Sequence, residues 1–568
     1  MPEARKRARN QKALLRLPAY PTILLLMVVA FLFRIMLMHY RFAVTFDEVN
    51  YLKLGVSGHL KGLSQVLHTY WTPLLPALIS VSCSIFSDYE LAGRMVSILA
   101  GTLLVVPVYY LGKFVYDKTV GLIAAGFVAL FPPLAFQSTQ VLTEPVFMLF
   151  ATSAILFGLL MLKRYSVGFA MLAGLATGIL YLTHPQGFGY FLLIAFWILF
   201  GAATRLFLIK PLRALWMIVP FVLLSFGLSA PYLLYLKHKT GTWTLSAKAS
   251  ANQQFESFSG QGNYDPFRAW DPEKKIVPID LIYHQGTFLN ATDGEENSIS
   301  EVHFGPFLKK YVKNVYTMLK SAIPSLLTLF PLMLLGVGLV GSRWKNQQGK
   351  LFFFLLSFIA FFWFGIIPAF HITERYLTPL LPVCAIWVAA GAVQAHSWLQ
   401  EYHPLKKVAR KIKLRPEGLA AVALVAAFAI FSFLPELGRI VSRRPGDTDF
   451  WADPVEQKQA GLWLKENASG AKIIMSRNHA VDFYAGSYDI TQSVTIPTSD
   501  LQGVLEYAKY RGVNYIVLNE RYESAYPDLR ELFQTEQPIP GLRLIYNKKY
   551  PAQLITKIYR LTGELSEN

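Results

Sequence analysis

Trp71-Thr72-Pro73-Leu74-Leu75-Pro76-Ala77-Leu78-Ile79-Ser80-Val81-Ser82-Cys83-Ser84-Ile85-Phe86 is apolar enough to pass for a membrane span, and whether it crosses decides the side of every later loop. A helix needs about 20 apolar residues to cross roughly 30 Å of hydrocarbon, and this run is shorter and carries two prolines. The basic residues choose between the outcomes, because Lys and Arg collect in short loops on the inner face. If the stretch lies at or dips into the outer interface, the N-terminal Arg5, Lys6, Arg7, Arg9, Lys12 and Arg16 fall inside. So do the loops marked by Lys113 and Lys118, by Lys163 and Arg164, by Arg205 to Arg213, by Arg343 to Lys350 and by Lys406 to Arg415. If it crosses, all of those loops turn outward, so it is read as interfacial.

Outward from that stretch, apolar runs predict about eleven spans, near residues 21–38, 92–112, 120–137, 145–162, 167–183, 187–204, 214–235, 316–341, 351–369, 377–395 and 418–435. The expected fold class is a polytopic α-helical membrane protein with a small C-terminal α/β extracytoplasmic domain. Residues 1–20 form a basic cytoplasmic N-terminus and 21–435 the membrane domain, with outer loops at 39–91 and 237–314; 446–568 form the outer domain. The first span reads as a retained anchor. Val49, Leu52, Val56, Leu60, Leu63 and Leu67 step by three and four, which predicts a second interfacial helix over 49–67. The segment 237–314, rich in Gly, Asn, Gln, Ser and aromatics, reads as a binding loop or lid. Residues 446–568 alternate helix-like and strand-like runs: helices at 454–466 and 499–511, strands at 471–475, 513–519, 542–547 and 553–559.

Composition supports this class. With 53% hydrophobic and 16% charged residues, the chain is too apolar and charge-poor for an ordinary soluble protein, and its long apolar runs exclude a barrel. The net charge of +18 sits in loops rather than a groove, which argues against nucleic acid as a partner. Cys83 and Cys384 both fall in apolar segments, so no disulfide framework is expected.

Ionisable residues beside spans are candidate functional groups, because charge at that depth needs a cavity or a partner. The predicted topology gathers Asp47, Glu48, Glu144, His184, Glu374 and Arg375 on one outer face, with Tyr51 one helical turn from Asp47 and Tyr376 beside Arg375. Each has a plainer alternative. Asp47 and Glu144 suit helix N-termini, His184 a helix end, and Arg375 an internal ion pair. Arg94 and Glu90 read as an i, i+4 pair. Asp447-Thr448-Asp449 has the D-x-D form but falls outside, away from nucleotide sugars, and Asn290 and Asn467 begin outer-side sequons. No metal-ligand spacing stands out; a divalent cation is left open and no cofactor is assigned.

Taken together the motifs resemble the GT-C class of membrane glycosyltransferases, in the protein mannosyltransferase and aminoarabinose transferase-like group (glycosyltransferase families 39 and 83), over about residues 20–395. The carriers are Phe46-Asp47-Glu48, Thr72-Pro73-Leu74-Leu75-Pro76, Ala92-Gly93-Arg94, Leu99-Ala100-Gly101, Glu144-Pro145, Thr183-His184-Pro185 and Arg375-Tyr376-Leu377 with Pro379 and Pro382. The resemblance implies a GT-C fold in the cell membrane and a polyprenyl-phosphate-linked sugar donor. It also implies a glycan, lipid or protein acceptor. By it, Asp47 is the acid of the first outer loop that contacts the acceptor and acts as general base, and Glu144 is the second acid. The chemistry is an inverting hexosyl or pentosyl transfer in which Asp47, partly desolvated so that its pKa rises, deprotonates the acceptor. Arg375 first and His184 second would meet the leaving phosphate, with Glu48, Tyr51, Glu374 and Tyr376 as further substrate contacts. Two positions depart: Thr72 and His184 stand where related enzymes carry lysine. The rival reading is a transporter or flippase for a lipid-linked glycan, although the charges gather at one face rather than along a path.

Overall fold

A computed structural model of the chain describes residues 19–204, 211–248, 268–285, 304–341, 346–370, 372–412, 415–449, 452–470, 472–534, 538–549 and 554–562. The basic N-terminal residues up to 18, the loop stretches 249–267 and 286–303 and the Asn290 sequon lie outside these.

Among the described residues, eight helices are long and apolar enough to cross a membrane: Tyr20–Met38, Tyr89–Val115, Thr143–Arg164, Gly187–Thr204, Pro211–Thr240, Gly349–Ala369, Glu374–Glu401 and Pro416–Val441. Lys118–Leu130 and Val167–Thr183 are shorter apolar helices, and Gly305–Leu327 with Leu329–Gly341 form a pair bent by 107°. These segments answer the predicted spans in order. The stretch from Trp71 to Phe86 does not become a span: its helix runs only over Leu74–Ser82, and Val81 and Ile85 beside its end are exposed.

Two predicted spans differ in form. The run 316–341 is not one straight crossing, because Thr328 takes a left-handed φ of 60° between Pro324 and Pro331, and the missing proline N–H breaks the helical ladder. The run 120–137 stops at Leu130, where Phe131 is extended ahead of Pro132. That break strands carbonyls inside the bundle, and a residue of the first span takes them. Arg34, fully buried, donates to Ala129 O at 3.0 Å and Val128 O at 3.2 Å as well as to Ala30 O on its own helix at 3.1 Å. A guanidinium inside a span would by default suggest function; here its donors complete a broken helix. Arg34→Met leaves those carbonyls unpaired, at about 1–3 kcal/mol each, so the melting temperature of the protein in detergent should fall by several degrees. An unchanged melting temperature would contradict this role.

Helix packing uses close backbone approach. Gly338 and Gly391 face each other so tightly that a Cβ on either would lie 1.9 Å from a carbonyl oxygen, of Trp387 and Leu334 respectively. Small residues at such a contact let two membrane helices touch along their backbones.

Four helices supply the site: α1 (Phe46–Lys61), α2 (Thr143–Arg164), α3 (Pro278–Gln285) and α4 (Glu374–Leu377). The C-terminal region forms a five-stranded sheet of β1 (Ile474–Ser476), β2 (Val494–Thr495), β3 (Tyr515–Asn519), β4 (Leu542–Lys549) and β5 (Ile555–Leu561), in the order β2-β1-β3-β5-β4. β1 runs parallel to β2 and β3, whereas β5 is antiparallel to β3 and β4. β2 is too short for an alternating pattern to announce it.

This domain sits on α1. The predicted interfacial helix over 49–67 therefore differs from the one found. It ends at Lys61, where Gly62 has φ 106°, and Val49, Leu52 and Val56 are buried inside the protein, while Leu60 and Leu63 are exposed. The apolar face covers protein, not lipid.

Candidate active site

Three helix starts converge at the end of the bundle beneath the C-terminal domain. Asp47 lies in the first turn of α1, Glu144 in the first turn of α2 and Arg375 in the one-turn helix α4. Carboxylates are favoured at such ends by the partial positive charge of unpaired N–H groups. Arg375 joins the two acids: its Nη1 donates to Asp47 Oδ2 at 2.9 Å and its Nε donates to Glu144 Oε1. About a third of each of the Arg375 and Asp47 side chains stays exposed, while that of Glu144 is 9% exposed. Glu144 Oε2 is buried with no hydrogen-bond partner among the described residues.

A second cation stands close by. The segment from Leu245 to Lys248 is pinned to the first outer loop and to the helix Val167–Thr183 by Ala247 N–H donating to Thr69 O at 3.3 Å and Tyr181 Oη donating to Leu245 O at 2.9 Å. Lys248 lies over the Tyr70 ring at 5.2 Å. Burial alone would raise the Asp47 carboxyl, but the charges of Arg375 and Lys248 outweigh it and hold that carboxyl below the usual carboxylate range. The expected rise in the Asp47 pKa is thus reversed here, because Arg375 is already paired with it and Lys248 adds its charge.

His184 borders the cluster, edge-on to Phe147 with centroids 5.8 Å apart. Its Nδ1 accepts from Gln186 N–H at 3.3 Å, and burial, with Lys248 and Arg375 nearby, pushes its pKa down to about 3. That direction favours the neutral imidazole, which keeps one N–H donor for a phosphate. Tyr51 is buried and shares a hydrogen bond with Thr143, next to Glu144, instead of holding Asp47. Tyr376 is half-buried close to Tyr70. Glu374 is exposed and forms no ion pair among the described residues.

Glu48 leaves the site. It accepts from Thr45 N–H at 3.0 Å and from Val141 N–H at 3.1 Å, completing the capping box of α1 while buried near Arg41 and Arg94. One residue along a helix turns a side chain by about 100°, so adjacent acids face different surroundings. Arg94 pairs with Glu90 at 2.7 Å as expected, and Glu90 also accepts from Lys458 and from Tyr484 of the C-terminal domain, both at 2.8 Å. The D-x-D acids build a turn: Asp447 Oδ1 accepts from Asp449 N–H at 3.0 Å, and Asp447 O and Asp449 O accept from Arg521, itself paired with Glu456. Among the described residues, no three His, Cys, Asp or Glu side chains gather as metal ligands.

Asp47 opens onto a cavity of about 570 Å³, walled by Asn50 and Trp71 of the first outer loop, Tyr283 of α3, and Asn478 and His479 after β1. Tyr283 also borders a second cavity of about 640 Å³ with Ser57, His68, Lys239, His284 and Asp489 on its walls. The C-terminal domain is fastened over both. Lys53 of α1, fully buried, reaches Asp482 at 3.4 Å and Ser493 at 2.7 Å, and Asp482 meets His479 Nδ1 at 3.1 Å. Asp280 of α3 accepts from Thr495 N–H at 3.0 Å and from Tyr507 Oη at 2.6 Å. Lys248, Lys53, Asn50, Trp71, Tyr283 and the 477–479 turn are what sequence reading missed. The one available signal was Lys53, a cation in the middle of an otherwise apolar helical face.

This architecture is the GT-C fold of membrane glycosyltransferases, with a small C-terminal sheet domain. The family model for dolichyl-phosphate-mannose-protein mannosyltransferases matches residues 70–229. Solved structures similar to the chain include ArnT from Cupriavidus metallidurans bound to undecaprenyl phosphate, at TM-score 0.54 and 11% identity over 95% of this chain and 98% of that one. Archaeal oligosaccharyltransferase AglB from Archaeoglobus fulgidus, in complex with an inhibitory peptide and a dolichol-phosphate, aligns at TM-score 0.53 and 13% identity over 96% of this chain and 75% of that one. No curated protein sequence matches.

Proposed function

We propose that the chain is an inverting glycosyltransferase that moves a hexose or pentose from a polyprenyl-phosphate carrier to an acceptor hydroxyl on the extracytoplasmic face. The observation that carries the reading is Arg375 bridging Asp47 and Glu144 at converging helix starts, beside Lys248 and an open cavity. The family match and the two lipid-phosphate-bound GT-C structures support it.

The geometry suggests how the parts act. With no donor phosphate present, Arg375 and Lys248 neutralise the acids. A sugar phosphodiester supplies oxygens that compete for both cations, and a guanidinium suits phosphate as a fork of donors. As the phosphate takes them, Asp47 loses its counterions, burial prevails, and its affinity for a proton rises. It then accepts the proton of the acceptor O–H while that oxygen bonds to the anomeric carbon. The carbon–oxygen bond to phosphate breaks, its electron pair stays on the phosphate oxygen, and Arg375 and Lys248 stabilise the charge. Attack opposite the leaving group inverts the anomeric centre. Glu144, deeper than Asp47, keeps Arg375 at the site throughout. Asp47 finally gives its proton to water.

Native mass spectrometry of the protein released from nanodiscs containing polyprenyl phosphate tests the donor half. Lipid phosphate should stay bound to the wild type, and Lys248→Gln combined with Arg375→Gln should weaken retention at least tenfold. Equal retention by both proteins would contradict the assignment.

A further inference from the structure

The cavity beside Asp47 has walls from three distant parts of the chain: the first outer loop, α3 and the turn after β1. Much of the wall is aromatic. Trp71 lies nearly parallel to Tyr283, with centroids 5.7 Å apart and planes 20° apart, and Tyr70 meets Trp71 edge-on at 4.8 Å. Tyr283 in turn meets His479 edge-on at 4.9 Å.

Two polar atoms of this wall are unmatched. Trp71 is 3% exposed and Asn50 5%, and neither Trp71 Nε1 nor Asn50 Oδ1 has a hydrogen-bond partner among the described residues. Buried polar atoms are nearly always paired, so an unpaired donor and an unpaired acceptor on one cavity wall point to a ligand that supplies both functions. A hydroxyl does so, whereas an acyl chain does neither. An extended peptide does so too, and one way it docks is by adding a strand to a free sheet edge. The sheet edge facing this region is closed, because Thr495 N–H of edge strand β2 donates to Asp280.

We propose that this cavity is the acceptor subsite and that the acceptor is a carbohydrate. One sugar ring lays its C–H face on the half-buried Tyr283 ring, which Trp71 backs, exchanges hydroxyl hydrogen bonds with Asn50 and Trp71, and turns the reacting hydroxyl to Asp47. The C-terminal domain then serves as the far wall, closing the subsite with Asn478 and His479. Lys53–Asp482–His479 holds that wall to the helix that carries Asp47, so acceptor and base keep one frame. This rests on the transferase reading and narrows its acceptor to one class.

Saturation-transfer NMR on the full-length protein in nanodiscs tests it, with mannotriose, cellotriose, chitotriose and arabinotriose as probes and a serine- and threonine-rich hexapeptide as the competing class. At least one trisaccharide should show ring-proton saturation that falls at least fivefold in Asn50→Leu and in Tyr283→Ala, while both variants keep wild-type retention of polyprenyl phosphate. Two variants are used because either one alone could misfold, and lipid retention reports folding. No signal from any trisaccharide, a signal that neither folded variant reduces, or a signal from the hexapeptide alone would overturn the proposal. In each case, lipid retention and donor cleavage by the wild type would survive; their loss would instead overturn the transferase reading.

Discussion

Asp47→Asn is expected to slow sugar transfer by roughly 10²–10⁴-fold, the range spanned by a positioned general base. The amide keeps the size of the carboxylate and accepts from Arg375 with its remaining oxygen, so the helix start and cavity should persist. It has no basic site for the acceptor proton. Retention of polyprenyl phosphate should be equal to or better than that of the wild type, because Arg375 loses one competing anion. The comparison to make is turnover against lipid retention on the same preparation. Turnover that stays near wild type in a folded Asp47→Asn protein would remove Asp47 from the chemistry.

Arg375→Gln should cost roughly 10²–10³-fold in kcat, as loss of one preorganised donor to developing oxyanion charge does. It should also move the pH profile, and the direction follows from the ion pair. In the free protein, Arg375 and Lys248 hold the Asp47 carboxyl below its ordinary range, so the acid limb of kcat/KM should lie below about pH 4. Removing the guanidinium removes the largest opposing charge and lets burial act, so that limb should move to higher pH. In the wild type, the limb of kcat should already lie above that of kcat/KM, because the bound phosphate has drawn the cations away. Arg375→Lys should recover part of the rate and of the low-pH limb. Superimposable profiles for wild type and Arg375→Gln would mean that the two groups are not coupled in the working enzyme.

Much of the bundle was legible because a membrane span is a local signal. Apolar length and basic loops recur within a few dozen residues, and they were enough to lay Trp71 to Phe86 outside the bundle and to bring Asp47, Glu144 and Arg375 to one end. What hid from the sequence was set by distance or by angle. Lys53 and Asp482 are 429 positions apart, and no periodicity links them. Glu48 is adjacent to Asp47, yet helical geometry sends it to a cap. Arg34 looks like any stray charge in an apolar run until the break before Pro132 supplies carbonyls for it. The Thr328 bend needs a backbone angle that composition does not specify. The acceptor wall joins Asn50, Trp71, Tyr283 and the turn after β1, and only the docking of the C-terminal domain makes them neighbours.

The cations at the site reverse one chemical expectation. Partial burial was expected to raise the pKa of Asp47, and burial does act in that direction, but Arg375 and Lys248 act against it more strongly. The site without its donor is therefore a neutralised cluster, and the phosphate that brings the sugar is also what would free the base. Burial and the two nearby cations shift His184 toward its neutral form.

The most direct test of the central claim follows both halves of one molecule. Protein in sealed proteoliposomes is given a polyprenyl-phosphate sugar labelled in the sugar and in the lipid, with an extract of cell-envelope glycans on the side of the C-terminal domain. We expect the sugar label to pass to the glycan fraction with release of an equal amount of free polyprenyl phosphate, and both signals to appear at least about 10²-fold more slowly in Asp47→Asn. Passage of the doubly labelled donor across the bilayer with its sugar–phosphate bond intact would contradict transfer and favour a flippase.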